Sequence, residues 1–220
     1  MRTVVFDLDG TLADTSGDLI AAANACFRDL GLGDLLDPAR DGRTAVKGGR
    51  AMLRLGFARS GTHGEDEVEA QYRPLLDYYG QAIAVHSFMY DGAMDAIGRL
   101  HDDGYRVAIC TNKPEGLAET LMTQLGVRDQ FHALVGADTL TVSKPDPAPL
   151  FEAVRRAGGD AKMTLLVGDT DTDRQTAAAA GVPSVLVSFG PGGDDMAILK
   201  PEAIMHDYAD LSDIVKDLIG

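Results

Sequence analysis

The chain opens with an apolar run, Val4-Val5-Phe6, that leads into an alternation of acid and leucine, Asp7-Leu8-Asp9, and then into Gly10-Thr11. A short β-branched run closed by a turn signal reads as a buried strand. Strand side chains alternate, so Asp7 and Asp9 share one side of its carboxyl end while Leu8 points away. The period then becomes helical: Leu19, Ile20, Ala23, Phe27 and Leu30 recur at helical spacing until Gly31. Further helices are predicted over residues 44–58 and 65–84, the latter to be broken or restarted at Pro74. No strand pattern interrupts residues 15–84. From Tyr90 the two periods alternate. Helices are predicted over 91–100, 117–125, 146–157, 174–180 and 211–218, and strands over 105–111, 131–135, 165–167, 184–187 and 203–205.

Alternating β and α units predict an α/β protein with a Rossmann-like parallel sheet core and helices on both faces. The first strand belongs to that sheet. The helical stretch is then an insertion, giving a core domain of residues 1–14 and 85–220 and a small all-helical cap domain of residues 15–84. Two tethers of this kind permit a hinged cap over the carboxyl ends of the strands, where ligands bind in open α/β sheets.

Composition narrows the class. With 45% hydrophobic residues the chain can build a sizeable core, and its formal net charge of −14 argues against nucleic acid or an anionic membrane as partner. No apolar run reaches membrane-spanning length and no leader precedes the first strand, which predicts a cytoplasmic protein. The two cysteines, Cys26 and Cys110, lie far apart in apolar contexts and read as buried free thiols. None of the five histidines forms an H-x-x-x-H pair, so no zinc site is expected.

The candidate chemistry lies at the strand ends. Two like charges at one strand end are costly unless neutralised, and Mg²⁺, which takes few carboxylates together with water and phosphate oxygens, is the expected neutraliser. Asp9-Gly10 taken alone also fits a hairpin turn. The other ends carry matching groups. Thr111-Asn112 offers a hydroxyl and an amide at a helix start, suited to phosphate oxygens. Lys144 supplies a cation, and Gly168-Asp169 is followed by Asp173 one helical turn on. The run from Asp169 is no EF-hand, because Arg174 stands where glycine is needed and Ala180 where the bidentate Glu would be. Gly190-Pro191-Gly192-Gly193 is rich in glycine but misses the dinucleotide fingerprint.

Asp7-x-Asp9-Gly10-Thr11, Thr111-Asn112, Lys144-Pro145 and Gly168-Asp169-x-x-x-Asp173 resemble, in order, the four motifs of the haloacid dehalogenase superfamily, and the helical insertion resembles its cap. Residues 7–19, Thr111-Asn112-Lys113 and Ser143-Lys144-Pro145-Asp146-Pro147 are most similar to the phosphoglycolate phosphatase branch. The resemblance implies Asp7 as nucleophile forming an aspartyl-phosphate, and Asp9 as general acid and then base. It implies Thr111, Asn112 and Lys144 as ligands of the phosphoryl oxygens. Mg²⁺ would be held by Asp7, the backbone carbonyl of Asp9 and Asp169, while Asp173 would orient either Lys144 or the metal waters. A second acid two positions after the nucleophile favours phosphoryl transfer over dehalogenation.

Arg43, Lys47, Arg50 and Arg54 fall at helical spacing within residues 44–58 and their flank, with only Asp41 opposing them locally. This stripe is expected either to meet the anionic end of a substrate or to form a salt-bridged surface; Arg43, Lys47 and Arg50 are the candidate substrate contacts. The expected function is Mg²⁺-dependent hydrolysis of a small anionic phosphomonoester, 2-phosphoglycolate foremost, by a monomer or homodimer. A phosphosugar mutase is the alternative within the fold, and a phospho-acceptor signalling module the alternative outside it.

Overall fold

A computed structural model describes residues 1–61, 64–191 and 193–220. The side chains of residues 194 and 195 also lie outside the described set, as does Gly192 of the glycine-rich stretch. Strands run over Thr3–Phe6 (β1), Ala13–Asp14 (β2), Phe88–Met89 (β3), Arg106–Cys110 (β4), Ala133–Val135 (β5), Thr164–Gly168 (β6), Ser184–Val187 (β7) and Ala203–Met205 (β8). Helices run over Ser16–Asp29 (α1), Pro38–Ala45 (α2), Gly49–Ser60 (α3), Glu65–Gln81 (α4), Ala93–Asp102 (α5), Glu115–Gln124 (α6), Ala148–Arg156 (α7), Asp171–Ala180 (α8) and Leu211–Ile219 (α9). The chain divides into two compact units, Met1–Ala13 with Met89–Gly220, and Asp14–Phe88. β2 and β3, where the chain passes from one to the other, pair as a separate two-stranded sheet.

The first unit is built on a six-stranded sheet in the order β5-β4-β1-β6-β7-β8, and every pairing within it is parallel. β1 is central and fully buried, as its continuous apolar run requires. Thr3, Val4, Val5 and Phe6 pair with Arg106 to Ile109 on one side and with Thr164 to Val167 on the other. Alternation splits the core in two. Val5, Ala108 and Leu166 face α7 and α8 through Leu150, Ala153, Val154 and Ala177. α5 and α9 cover the opposite face against β4 and β6. The chain turns from β5 back to β6 across β1, so the switch in strand order falls beside the strand that carries Asp7.

The second unit packs α1 against α2, α3 and α4. Residues 44–58, expected as one helix, form two. The break is at Gly48, whose φ of 92° costs glycine little but would cost another L-residue about 1–2 kcal/mol. Arg43 therefore lies on α2, Lys47 in the turn, and Arg50 and Arg54 on α3, so the stripe expected along one helix does not exist. Pro74, expected to interrupt a helix, sits inside a continuous α4. Leu75 and Tyr79 beyond it are buried, and their packing offsets the missing backbone donor.

Candidate active site

The first unit gathers the polar strand ends at one place. β1 delivers Asp7, whose own N–H still donates to the Val167 carbonyl of β6 at 2.8 Å. Lys144, in the segment before α7, reaches between two acids: its Nζ is 2.9 Å from Asp7 Oδ1 and 2.6 Å from Asp173 Oδ1. These three side chains are almost fully enclosed, at 2% exposure for Lys144, 12% for Asp7 and none for Asp173. β6 ends at Gly168, where an added Cβ would lie 2.4 Å from the Asp173 side chain. Only glycine lets the first turn of α8 close onto the strand so tightly.

Asp169 and Asp173 are placed differently. Asp173 Oδ2 accepts from the backbone N–H of Asp169 and Thr170 and from the Thr170 hydroxyl, and Thr170 Oγ1 accepts from the Asp173 N–H in return. This is the reciprocal cap at the start of α8. With Lys144 on its other oxygen, Asp173 is satisfied on both. Asp169 Oδ1 accepts from the Thr11 hydroxyl at 3.0 Å, but its buried Oδ2 has no hydrogen-bond partner among the described residues.

One carboxylate oxygen from each of Asp7, Asp169 and Asp173 lies within 4.8 Å of the others. Burial pushes the Asp7 carboxyl up to about 6, against the pull of Lys144 and with the push of Asp173 and Asp9. Burial, then Asp173 and Asp7, raise Asp169 well above the usual carboxylate range. Burial opposes the charge on Lys144, but Asp173 and Asp7 outweigh it and hold the ammonium above its ordinary value. The cluster carries more negative charge than one lysine neutralises. Hard oxygen donors, excess negative charge and an unpartnered carboxylate oxygen together fit a hard divalent cation.

Asp9, in the turn after β1, accepts at Oδ1 from Lys113 Nζ at 2.7 Å. The Thr111 hydroxyl accepts from the Lys113 N–H, and the Asn112 amide donates to the Lys144 carbonyl at 3.0 Å. Asn112, expected to face phosphate, thus also fastens the segment that carries Lys144. Sequence reasoning quoted Thr11 and Lys113 within motifs without giving them partners, and passed over Tyr208, whose hydroxyl donates to the Thr11 carbonyl at 2.8 Å. The partners of Thr11, Lys113 and Tyr208 lie too far along the chain to be read.

Three cations of the second unit pair with acids of the same unit. Arg50 makes a two-pronged pair with Glu69 at 2.6 and 3.0 Å and stacks 3.5 Å above the Tyr72 ring. Arg54 pairs with Glu65 and Arg59 with Asp41. The opposing acids come largely from α4, which a local reading of residues 40–59 did not reach.

Residues 1–181 match the family described as haloacid dehalogenase-like hydrolase. The chain belongs to that family. A relative named phosphoglycolate phosphatase from Mesorhizobium japonicum is 39% identical over 208 residues, covering 93% of this chain and 90% of its own. One of the same name from Rhodospirillum rubrum is 37% identical over 217 residues, covering 96% and 90%. Among solved structures, one described as a predicted phosphoglycolate phosphatase from Haemophilus somnus 129PT superposes with a TM-score of 0.85 at 27% identity, covering 97% of each chain. In this haloacid dehalogenase-like hydrolase Asp7, Asp169, Asp173 and Lys144 meet, buried, beyond the carboxyl ends of β1 and β6. Among the described residues, no helix is long and apolar enough to cross a membrane.

Proposed function

We propose that this chain is a Mg²⁺-dependent phosphatase that hydrolyses 2-phosphoglycolate through an aspartyl-phosphate on Asp7. The observation that carries the reading is the buried meeting of Asp7, Asp169, Asp173 and Lys144 beyond the carboxyl ends of the central strands. The substrate rests on the name shared by relatives at 39% and 37% identity.

In this reading an Asp7 carboxylate oxygen attacks phosphorus, and the electron pair of the broken P–O bond passes to the leaving oxygen. Asp9 gives that oxygen its proton, then takes one from the water that cleaves the aspartyl-phosphate. Lys144 and the Thr111 hydroxyl stabilise the charge on the transferring group. Asp7, Asp169 and the backbone carbonyl of Asp9 are the proposed Mg²⁺ ligands, with Asp173 positioning Lys144. When bound, Mg²⁺ neutralises carboxylate and phosphoryl charge. Residues 15–84 serve as the cap domain on a core of residues 1–14 and 85–220. Arg50, committed to Glu69 and Tyr72, is read as a staple between α3 and α4. The proposed compartment is the cytoplasm, in keeping with Cys26 and Cys110 as buried free thiols.

Phosphate release from a panel of phosphorylated metabolites, with and without Mg²⁺, tests the reading. Turnover should be highest on 2-phosphoglycolate and fall away with chelator. Asp7→Asn should abolish it while circular dichroism stays native. Turnover retained by Asp7→Asn sinks the mechanism, whereas a different best substrate overturns only the substrate. Isomerisation of a sugar phosphate without phosphate release would make the chain a mutase.

A further inference from the structure

Lys113, paired with Asp9 beside that cluster, has no task in the mechanism above. It follows β4, and its side chain is only 4% exposed. A lysine so enclosed loses most of its hydration and persists charged only beside a partner. That partner is Asp9, at 2.7 Å. The backbone around the lysine is fastened on both sides: its N–H donates to Thr111 Oγ1 at 3.1 Å, and its carbonyl accepts from the Ala137 N–H at 2.9 Å. Pro114 follows, with φ fixed by its ring. The ammonium is therefore presented from a rigid base, while Asp9 sits in a turn and is 15% exposed at its side chain.

We propose that Lys113 is a positioning residue for Asp9: its hold on Oδ1 fixes the carboxyl from which the proton passes to the leaving group. The inference rests on the reading of Asp9 as general acid. As the bond between phosphorus and the leaving oxygen breaks, the proton on the Asp9 carboxyl moves to that oxygen. The alcohol departs neutral, and the Asp9 carboxylate left behind stays paired with Lys113, whose own three protons remain in place. Proton transfer is sensitive to small displacements of the donor, so a carboxyl free to rotate is a poorer acid catalyst than one pinned at one oxygen.

The test compares two small phosphomonoesters that differ in how much their leaving group needs a proton. Benzyl phosphate leaves as an alcohol and needs one; p-nitrophenyl phosphate leaves as a stable phenolate and does not. Neither carries a second anionic group. In the Mg²⁺-loaded enzyme kcat/KM covers the chemistry up to leaving-group departure, and the ratio of the two values in one sample is independent of how much protein is folded. Lys113→Met should lower kcat/KM for benzyl phosphate by about 100-fold and for p-nitrophenyl phosphate by no more than about 3-fold, with Lys113→Arg between wild type and Met. Asp9→Asn, run alongside, should move the ratio in the same direction. A ratio unmoved by Lys113→Met but moved by Asp9→Asn overturns the inference alone. A ratio unmoved by either overturns the Asp9 reading as well. A loss in Lys113→Met confined to 2-phosphoglycolate would make Lys113 a substrate-carboxylate contact and overturn the positioning role.

Discussion

Asp169 and Asp173 stand one helical turn apart and meet different needs. Asp173 is saturated by Lys144 and by the start of α8, whereas Asp169 keeps one oxygen without a partner among the described residues. The unpartnered, charge-crowded acid is the one that gains most from a cation. Mg²⁺ that binds only the folded chain at 100 times its dissociation constant adds about 2.7 kcal/mol of stability. Thermal unfolding should therefore move upward with Mg²⁺ in the wild type, and Asp169→Asn should remove most of that movement without unfolding the protein. A shift that survives in Asp169→Asn would place the cation elsewhere. At this scale the sequence displayed Asp7, Asp9, Asp169 and Asp173, because the acids follow buried strands or open the helix beyond, and Lys144, because it is a lone cation in the segment before α7. It hid the burial of Lys113, since a lysine at a helix start is ordinarily solvated, and it hid which oxygen of which acid was already spoken for.

Elements were legible in proportion to their burial. β1, β4, β6 and β7 are largely apolar runs in a sheet covered by helices on both faces, and their existence followed from those runs. The second unit was harder to read, because its helices are held by pairs between elements. Asp41 on α2 shows this: its carboxylate takes two hydrogen bonds from Arg59 of α3, each 2.7 Å, and another from the Asp37 N–H at 2.8 Å. Hydrogen bonding from Arg59 holds the Asp41 carboxyl below its usual value of 3.8. A lowered acid contributes stability that is present above the unfolded-state pKa and lost as pH falls through the folded one. Asp41→Asn should cost about 1–3 kcal/mol at pH 7 by urea unfolding, and the gap to wild type should narrow below about pH 4. A gap independent of pH would mean that packing, and not charge, holds α2 to α3.

At the scale of the whole molecule, the chain leaves its sheet after β1, builds a helical unit and returns. Within that unit the point of departure is bound to the point of return. The carboxylate of Asp18, in the first turn of α1, accepts from the His86 N–H at 2.8 Å, the Ser87 N–H at 3.0 Å and the Ser87 hydroxyl at 2.6 Å. Asp18 is 3% exposed, so these bonds form where water does not compete. Asp18→Ala should cost about 1–3 kcal/mol and speed amide exchange at His86 and Ser87 more than in β1 or β6. Equal acceleration throughout would show that Asp18 acts on global stability alone. The two-unit plan was legible from the switch in period near Tyr90; this long-range latch was not, because nothing local to Asp18 distinguishes it from an ordinary first-turn acid.

The double duty of Asp173 ties the lysine to the start of α8. The carboxylate that steadies the lysine is also the one that winds up the first turn of α8, so fraying of that turn would leave the ammonium to Asp7 alone.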